Sequence, residues 1–208
     1  TIITGIMLLS VGYSKLKTIP KTKWKWLLIS GLLGSFFPAF FFAIAETEID
    51  SSVASILNSL VPLNTILLGF AVFKIASTKR QILGVVIGFI GTAILILKGS
   101  ELNPNQNYLY AGFVIASTLM YAANVNIIKR YLQDVKPLAI AAGNYVFIVI
   151  PAFIILIFTD FFSSTTFKNP HFTNALLYVT ILSVFGTAIA KVLFNKLVQM
   201  STPVFASS

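Results

Sequence analysis

Residues 26–45 read WLLISGLLGSFFPAFFFAIA, a run without one charged side chain. At about 1.5 Å of rise per residue, such a helix covers the roughly 30 Å hydrocarbon core of a bilayer. A barrel strand would need about ten residues of strict polar–apolar alternation, which this run lacks. Five more runs of the same kind follow, at about 52–73, 81–98, 109–128, 138–158 and 175–196. The chain is therefore predicted to be an all-α polytopic membrane protein with six complete spans.

Composition agrees. Hydrophobic residues make up 57% of the chain and charged residues 10%, against roughly 25% charged in soluble domains. Too little polar surface is present to clothe a water-exposed globule. The net charge of +9 raises the question of nucleic-acid binding, but the basic residues sit in short connections between apolar runs, so no nucleic-acid partner is expected. Cysteine is absent, which excludes a disulfide framework and a thiolate metal site.

Both ends read as truncated helices. The opening run, Ile2 to Val11, has no positive n-region and no cleavage site of a signal peptide. It is too short for a core that needs about 20 residues. Residues 203–208, PVFASS, look like the first turn of another helix.

The connections carry the orientation. Lys15, Lys17, Lys21, Lys23, Lys25, Lys74, Lys79, Arg80, Lys129, Arg130, Lys136 and Lys196 fall on one side. Lys98 and Lys168 fall on the other, with Glu46, Glu48, Asp50, Glu101 and Asp160. Lysine and arginine in short loops favour the cytoplasm, so the basic side is expected inside and the connections near 46–50, Asn103 and Phe167 outside. Trp24, Trp26, Tyr108 and Tyr110 read as interfacial anchors.

Shifted by about 152 positions, the second segment aligns with the seventh: Gly34 meets Gly186, Ser35 meets Thr187, and Phe42 meets Phe194. The offset spans five helices, an odd number, so the two copies would have opposite topology. Inverted repeats are a transporter signature, with the substrate site near midplane at the repeat interface.

These residues resemble a known family. Gly34 with Pro38, SSVASIL at 51–57 leading to VPL at 61–63, the basic turn Lys79-Arg80, and GVVIGFIG at 84–91 are similar to the EamA domain of the drug/metabolite transporter superfamily. GTA at 186–188 and PVFASS at 203–208 supply the second copy. The resemblance implies ten helices in two inverted five-helix repeats, of which the first helix, most of the ninth and the tenth lie outside this chain. Residues 1–100 would form the first repeat and 105–208 the second. The acidic residue usual before the fifth helix is replaced by KIAST at 74–78, so no role is transferred there.

For chemistry, no HExxH motif or embedded carboxylate pair appears, and His171 reads as a solvated loop residue. No metal, cofactor or enzymatic activity is expected. Ser183, Thr187, Lys191, Asn195 and Gln199 recur every four residues and form a polar stripe on the seventh segment. An ammonium within a membrane span faces a cavity or partner, or else snorkels to the headgroups. Ser51, Ser55, Asn58, Pro62, Thr65 and Gly69 form a stripe on the third segment, and Ser117, Tyr121 and Asn124 one on the fifth. These hydroxyls and amides suit interhelical hydrogen bonds as well as substrate contacts. Gly84, Gly88 and Gly91 read as packing residues.

The substrate-binding set expected is Lys191, Asn195, Thr187, Asn58 and Tyr121, with Lys191 facing an anionic group such as a carboxylate. The function expected is secondary transport, as exporter or exchanger, of small polar metabolites such as amino-acid-like solutes or drugs. Partners would be the lipid bilayer, the solute and, as an open option, a second copy in a homodimer. The site of action would be the cell (inner) membrane. Two alternatives stand beside it. A seven-helix retinal protein would use Lys191 as its Schiff-base former, but every acid lies at a predicted loop or helix end, where none can serve as counter-ion. A non-transporting membrane scaffold is the other.

Overall fold

The computed structural model describes residues 1–75, 78–102 and 107–207. Its helices are α1 (Ile2–Leu16), α2 (Lys21–Ala45), α3 (Ser51–Ala71), α4 (Lys79–Leu102), α5 (Tyr108–Tyr131), α6 (Pro137–Ile157), α7 (Phe172–Met200) and α8 (Pro203–Ser207), besides a short helix at Ser164–Lys168 in the connection before α7. Six of them, α2 to α7, are long and apolar enough to cross a membrane. The Asn103 turn, Ala76 and Ser77 of the 74–78 segment, and Ser208 lie outside the described residues.

Three of the spans are interrupted in their interiors. In α2 the turns widen to a π-helical pitch over Leu32–Phe36, just ahead of Pro38. Proline has no N–H to give the carbonyl four residues back, which is that of Gly34. The Ser35 hydroxyl donates to that carbonyl at 2.7 Å, so it is not left bare. A second π-helical stretch, Leu182–Ile189, lies in α7 and contains Gly186 and Thr187, the residues that the 152-residue offset pairs with Gly34 and Ser35. The Thr187 hydroxyl reaches back five residues to the Leu182 carbonyl at 3.4 Å. Helix α3 breaks instead: its α-helical stretches are Ser51–Asn58 and Val61–Ala71, and the gap at Ser59 and Leu60 falls where Pro62 deprives the Asn58 carbonyl of its donor.

The described chain divides into two compact units, each drawing on both halves of the sequence. One comprises Thr1–Gly31 and Leu132–Leu197. Here α1 lies antiparallel to α6. Gly5 faces Tyr145 and Val149, Gly12 faces Ala142, and a Cβ at Gly12 would come within 2.5 Å of the Ala142 Cβ. The small residues let the two backbones approach closely, as helices in lipid require for packing. The core here is Leu8, Ala141, Tyr145 and Ala188. Gly31 abuts the Asn144 backbone. Lys23 meets Asp134 at 2.7 Å, tying the α1–α2 and α5–α6 connections. That hydrogen bond holds the Asp134 carboxyl below its usual range.

The other unit comprises Leu32–Tyr131 and Val198–Ser208. Helices α3 and α5 run side by side over a core of Ala45, Val53, Ala54, Leu57, Ala111 and Val114. A Cβ at Gly34 would meet the Asn124 amide at 2.5–2.9 Å, so the widened turn of α2 needs a glycine there. Lys129 donates to the Gln199 and Ser201 carbonyls at 3.1 and 2.7 Å, which satisfies the end of α7 in the usual C-terminal manner. The turn after α3 places Lys74 at φ 54°, a left-handed conformation uncommon for a lysine.

Three expectations change at this level. Gly88 packs against Leu63, but a Cβ at Gly84 or Gly91 would meet nothing within 4 Å. Those two face outward with most of α4, so they are not packing residues of this chain. The Tyr108 hydroxyl is buried without a hydrogen-bond partner, because its ring packs on the α3–α5 core instead of rising to the headgroups. The α3 stripe does not stay on one face: Thr65 and Gly69 are buried while Ser51, Ser55 and Asn58 are exposed, since the break before Pro62 separates the two halves.

Candidate functional site

Of the five residues expected to bind substrate, Lys191, Asn195 and Thr187 fall in the first unit, Asn58 and Tyr121 in the second. The first three lie on α7. Ser183, Ala188, Asn195 and Val198 are buried, and Lys191 and Thr187 partly so. The polar stripe thus occupies the packed side of the helix.

The Lys191 ammonium lies over the Tyr145 ring of α6, 5.9 Å from its centroid. A ring face attracts a cation through its quadrupole, and the attraction grows when water is excluded. Tyr145 is 1% exposed, so the ring is held fixed beneath the ammonium. One turn on, the Asn195 amide donates to the Pro137 carbonyl at 3.3 Å, while its Oδ1 is buried without a hydrogen-bond partner. One turn before, the Thr187 hydroxyl is engaged weakly with Leu182. This face therefore offers one positive charge, one open acceptor and one exchangeable hydroxyl.

A cavity of about 190 Å3 lies alongside, lined by Met7, Leu8, Val11, Leu138, Ala188, Ile189, Val192 and Leu193. Its walls are apolar and Lys191 is not among them, so it suits hydrocarbon and not a charged group.

In the second unit Asn58 is exposed at the end of the first stretch of α3. Tyr121 is half-buried, its ring 6.3 Å from that of Phe42. The buried polar contacts nearby involve other residues. Asn64 donates to the Thr118 hydroxyl at 2.8 Å, and Asn126 to the Thr65 and Ala122 carbonyls at 3.1 and 2.9 Å. Asn64 and Asn126 each keep a buried Oδ1 without a partner. In the first unit Asn144, turned so that its nitrogen faces the carbonyls of Leu27 and Ile140, donates at 3.0 and 3.1 Å. Thr4 donates to the Ser183 carbonyl at 3.2 Å.

Sequence reasoning passed over Asn64, Asn126 and Asn144 because they lie off the four-residue stripes. The available signal was simpler, since an amide inside an apolar span must find a partner. Tyr145 carried no such signal, for an aromatic residue in a span reads as packing.

The helices and this embedded cation define a multi-pass integral membrane protein. The profile of the EamA-like transporter family matches residues 1–97 and 109–208, and the chain belongs to that family. Over 121 residues the chain is 33% identical to Protein PecM of Dickeya dadantii (strain 3937). That match covers 55% of this chain and 38% of PecM. No solved structure matches the chain.

Proposed function

We propose that this chain forms part of a secondary transporter, an exporter or exchanger of small polar metabolites such as amino-acid-like solutes or drugs, and that Lys191 binds an anionic group of the solute. The observation that carries the reading is the Lys191 ammonium, held within a span over the Tyr145 ring in a member of a transporter family. A charged side chain is costly at that depth and marks a substrate or ion path more often than a packing site.

In this reading a solute carboxylate meets Lys191, and the open Oδ1 of Asn195 accepts from a solute amine or hydroxyl. Thr187 exchanges its weak bond to Leu182 for one to the solute. Asn58 and Tyr121 belong to the other unit and stand in the proposal as solute-binding residues of that unit. Two inverted copies, 1–100 and 105–208, belong to the same proposal, as does a cytoplasmic (inner) membrane with the basic connections inside. An experimental structure in which helices 27–56 and 179–208 cross the bilayer in the same sense would overturn the inverted repeat.

The test is uptake of a panel of radiolabelled amino acids, organic acids and cationic drugs by the full-length protein in proteoliposomes, with and without a proton gradient. The expected outcome is saturable movement of at least one carboxylate-bearing solute above empty vesicles. No solute moving above that background would overturn the proposal.

A further inference from the structure

Five lysines occupy residues 15–25, and no acidic residue precedes Glu46. Lys15 lies in the last turn of α1, Lys21 and Lys23 in the 3-10 turn that opens α2, and Lys25 in the α-helical turn that follows it. The connection is built rather than loose. Thr18 and Ile19 close onto the Lys15 and Leu16 carbonyls, both at 3.1 Å, and Lys23 onto that of Pro20 at 2.9 Å. Ile19 is buried. Through Asp134 the turn is fastened to the α5–α6 connection, which brings exposed Lys136 to the same end.

Aromatic rings set the level of these charges. Lys17 lies over the Tyr13 ring at 5.5 Å, and Lys25 over Trp26 at 5.1 Å. Trp24 packs edge-on against Phe147, with centroids 5.8 Å apart. Indole rings at the end of a span occupy the membrane interface, and ammonium groups beside them stand at the depth of lipid phosphates.

We propose that this end of the α1–α2 hairpin is a docking surface for the headgroups of anionic phospholipids. Charge complementarity selects the occupant. A turn joining two membrane segments is always bathed in headgroups, and a cluster of four to eight lysines or arginines there favours acidic lipids. A zwitterionic lipid cancels its phosphate with its own choline and gains little. The proposal rests on the span assignment and on this turn, and is independent of the solute assigned to Lys191.

Trp24 and Trp26 both report on this surface, in a background where any tryptophan outside these 208 residues is replaced by phenylalanine. The full-length protein is reconstituted in phosphatidylcholine vesicles with increasing fractions of phosphatidylglycerol, or of phosphatidylcholine, carrying a nitroxide near the headgroup. Quenching by phosphatidylglycerol is expected at about fivefold or greater relative affinity, the effect of one engaged lysine. The preference should fall towards unity in 0.5 M salt, as counterions screen the exposed charges. Replacing Lys15, Lys17, Lys21 and Lys25 together by glutamine should abolish it, and replacing the four by arginine should keep it. Lys168→Gln, in the α6–α7 connection at the opposite end, should leave it unchanged. Equal quenching by the two lipids in the wild type would overturn the proposal, as would a preference indifferent to salt or to the glutamine replacements. Should the glutamine variant fail to fold, the salt titration and the arginine variant still decide the matter.

Discussion

A single ammonium over a single ring carries most of the functional weight. Lys191 and Tyr145 sit on neighbouring helices of one unit, and the ammonium lies over the ring face, which phenylalanine would keep. Tyr145→Phe should therefore leave transport nearly intact. Tyr145→Leu removes the π face at a site where cation–π contacts are worth about 0.5–2 kcal/mol. It should raise KM for an anionic solute several-fold, compared per folded molecule because Tyr145 also belongs to the core of its unit. Initial-rate measurements on the two variants, side by side, check this. Equal KM for both would show that the ring only packs. Lys191 was legible in the sequence because a charge inside an apolar run needs a reason. Its ring was not, since Tyr145 is one aromatic among many, and only tertiary packing singles it out.

At the scale of helices, α1 and α6 approach on glycine and alanine. The Cβ introduced by Gly12→Ala would lie 2.5 Å from that of Ala142, and neither atom can swing aside because each is fixed to its backbone. The variant should lose about 1–3 kcal/mol of stability through overpacking, read as a lower unfolding temperature in detergent. Gly84→Ala meets open space and should match or slightly exceed the wild type, since glycine weakens a helix by about 0.5–1 kcal/mol.

The Lys23–Asp134 tie gives a pH signature. Because the folded-state pKa of Asp134 lies below the ordinary value of about 3.9, its contribution is complete above that value and fades as pH falls through the folded one. An exposed pair of this kind is worth under about 1 kcal/mol. Asp134→Asn should cost that small amount at pH 7 and progressively less as the pH is lowered through the carboxyl's folded-state titration, as compared by thermal unfolding. A cost that does not shrink on acidification would mean the residue acts through packing.

Number and placement of the spans could be read from the chain because twenty apolar residues in lipid have few alternatives to a helix. The π-helical stretches at Leu32–Phe36 and Leu182–Ile189 could not. A four-residue stripe presumes a regular α pitch, and nothing in the apolar pattern signals one wider turn. Pro38 and Pro62 were the available hints of irregularity. They gave opposite results, a wide turn in α2 and a break in α3: the Ser35 hydroxyl donates to the freed Gly34 carbonyl, whereas Ser59, equally placed after Asn58, donates to the Ile56 carbonyl.

For the whole molecule, orientation is the first matter to settle. These 208 residues contain no cysteine, so single cysteines at Lys21 and Lys168 report cleanly in an otherwise cysteine-free protein. With the basic connections inside, an impermeant maleimide should label the Lys168 position in intact cells and the Lys21 position only after permeabilisation. Equal labelling would upset the helix count or the charge rule.

The central claim is that a member of the EamA-like transporter family moves a solute whose negative charge is read by Lys191. It is tested most directly by pairing a transported carboxylate with its neutral carboxamide, each assayed in proteoliposomes of the wild type and of Lys191→Met. Truncating one partner of a buried charged pair typically costs about 2–5 kcal/mol. The wild type should accordingly favour the acid by roughly 30-fold or more in kcat/KM, and Lys191→Met should erase that preference while moving the carboxamide as before. Transport of the acid by Lys191→Met at the wild-type rate would contradict the claim.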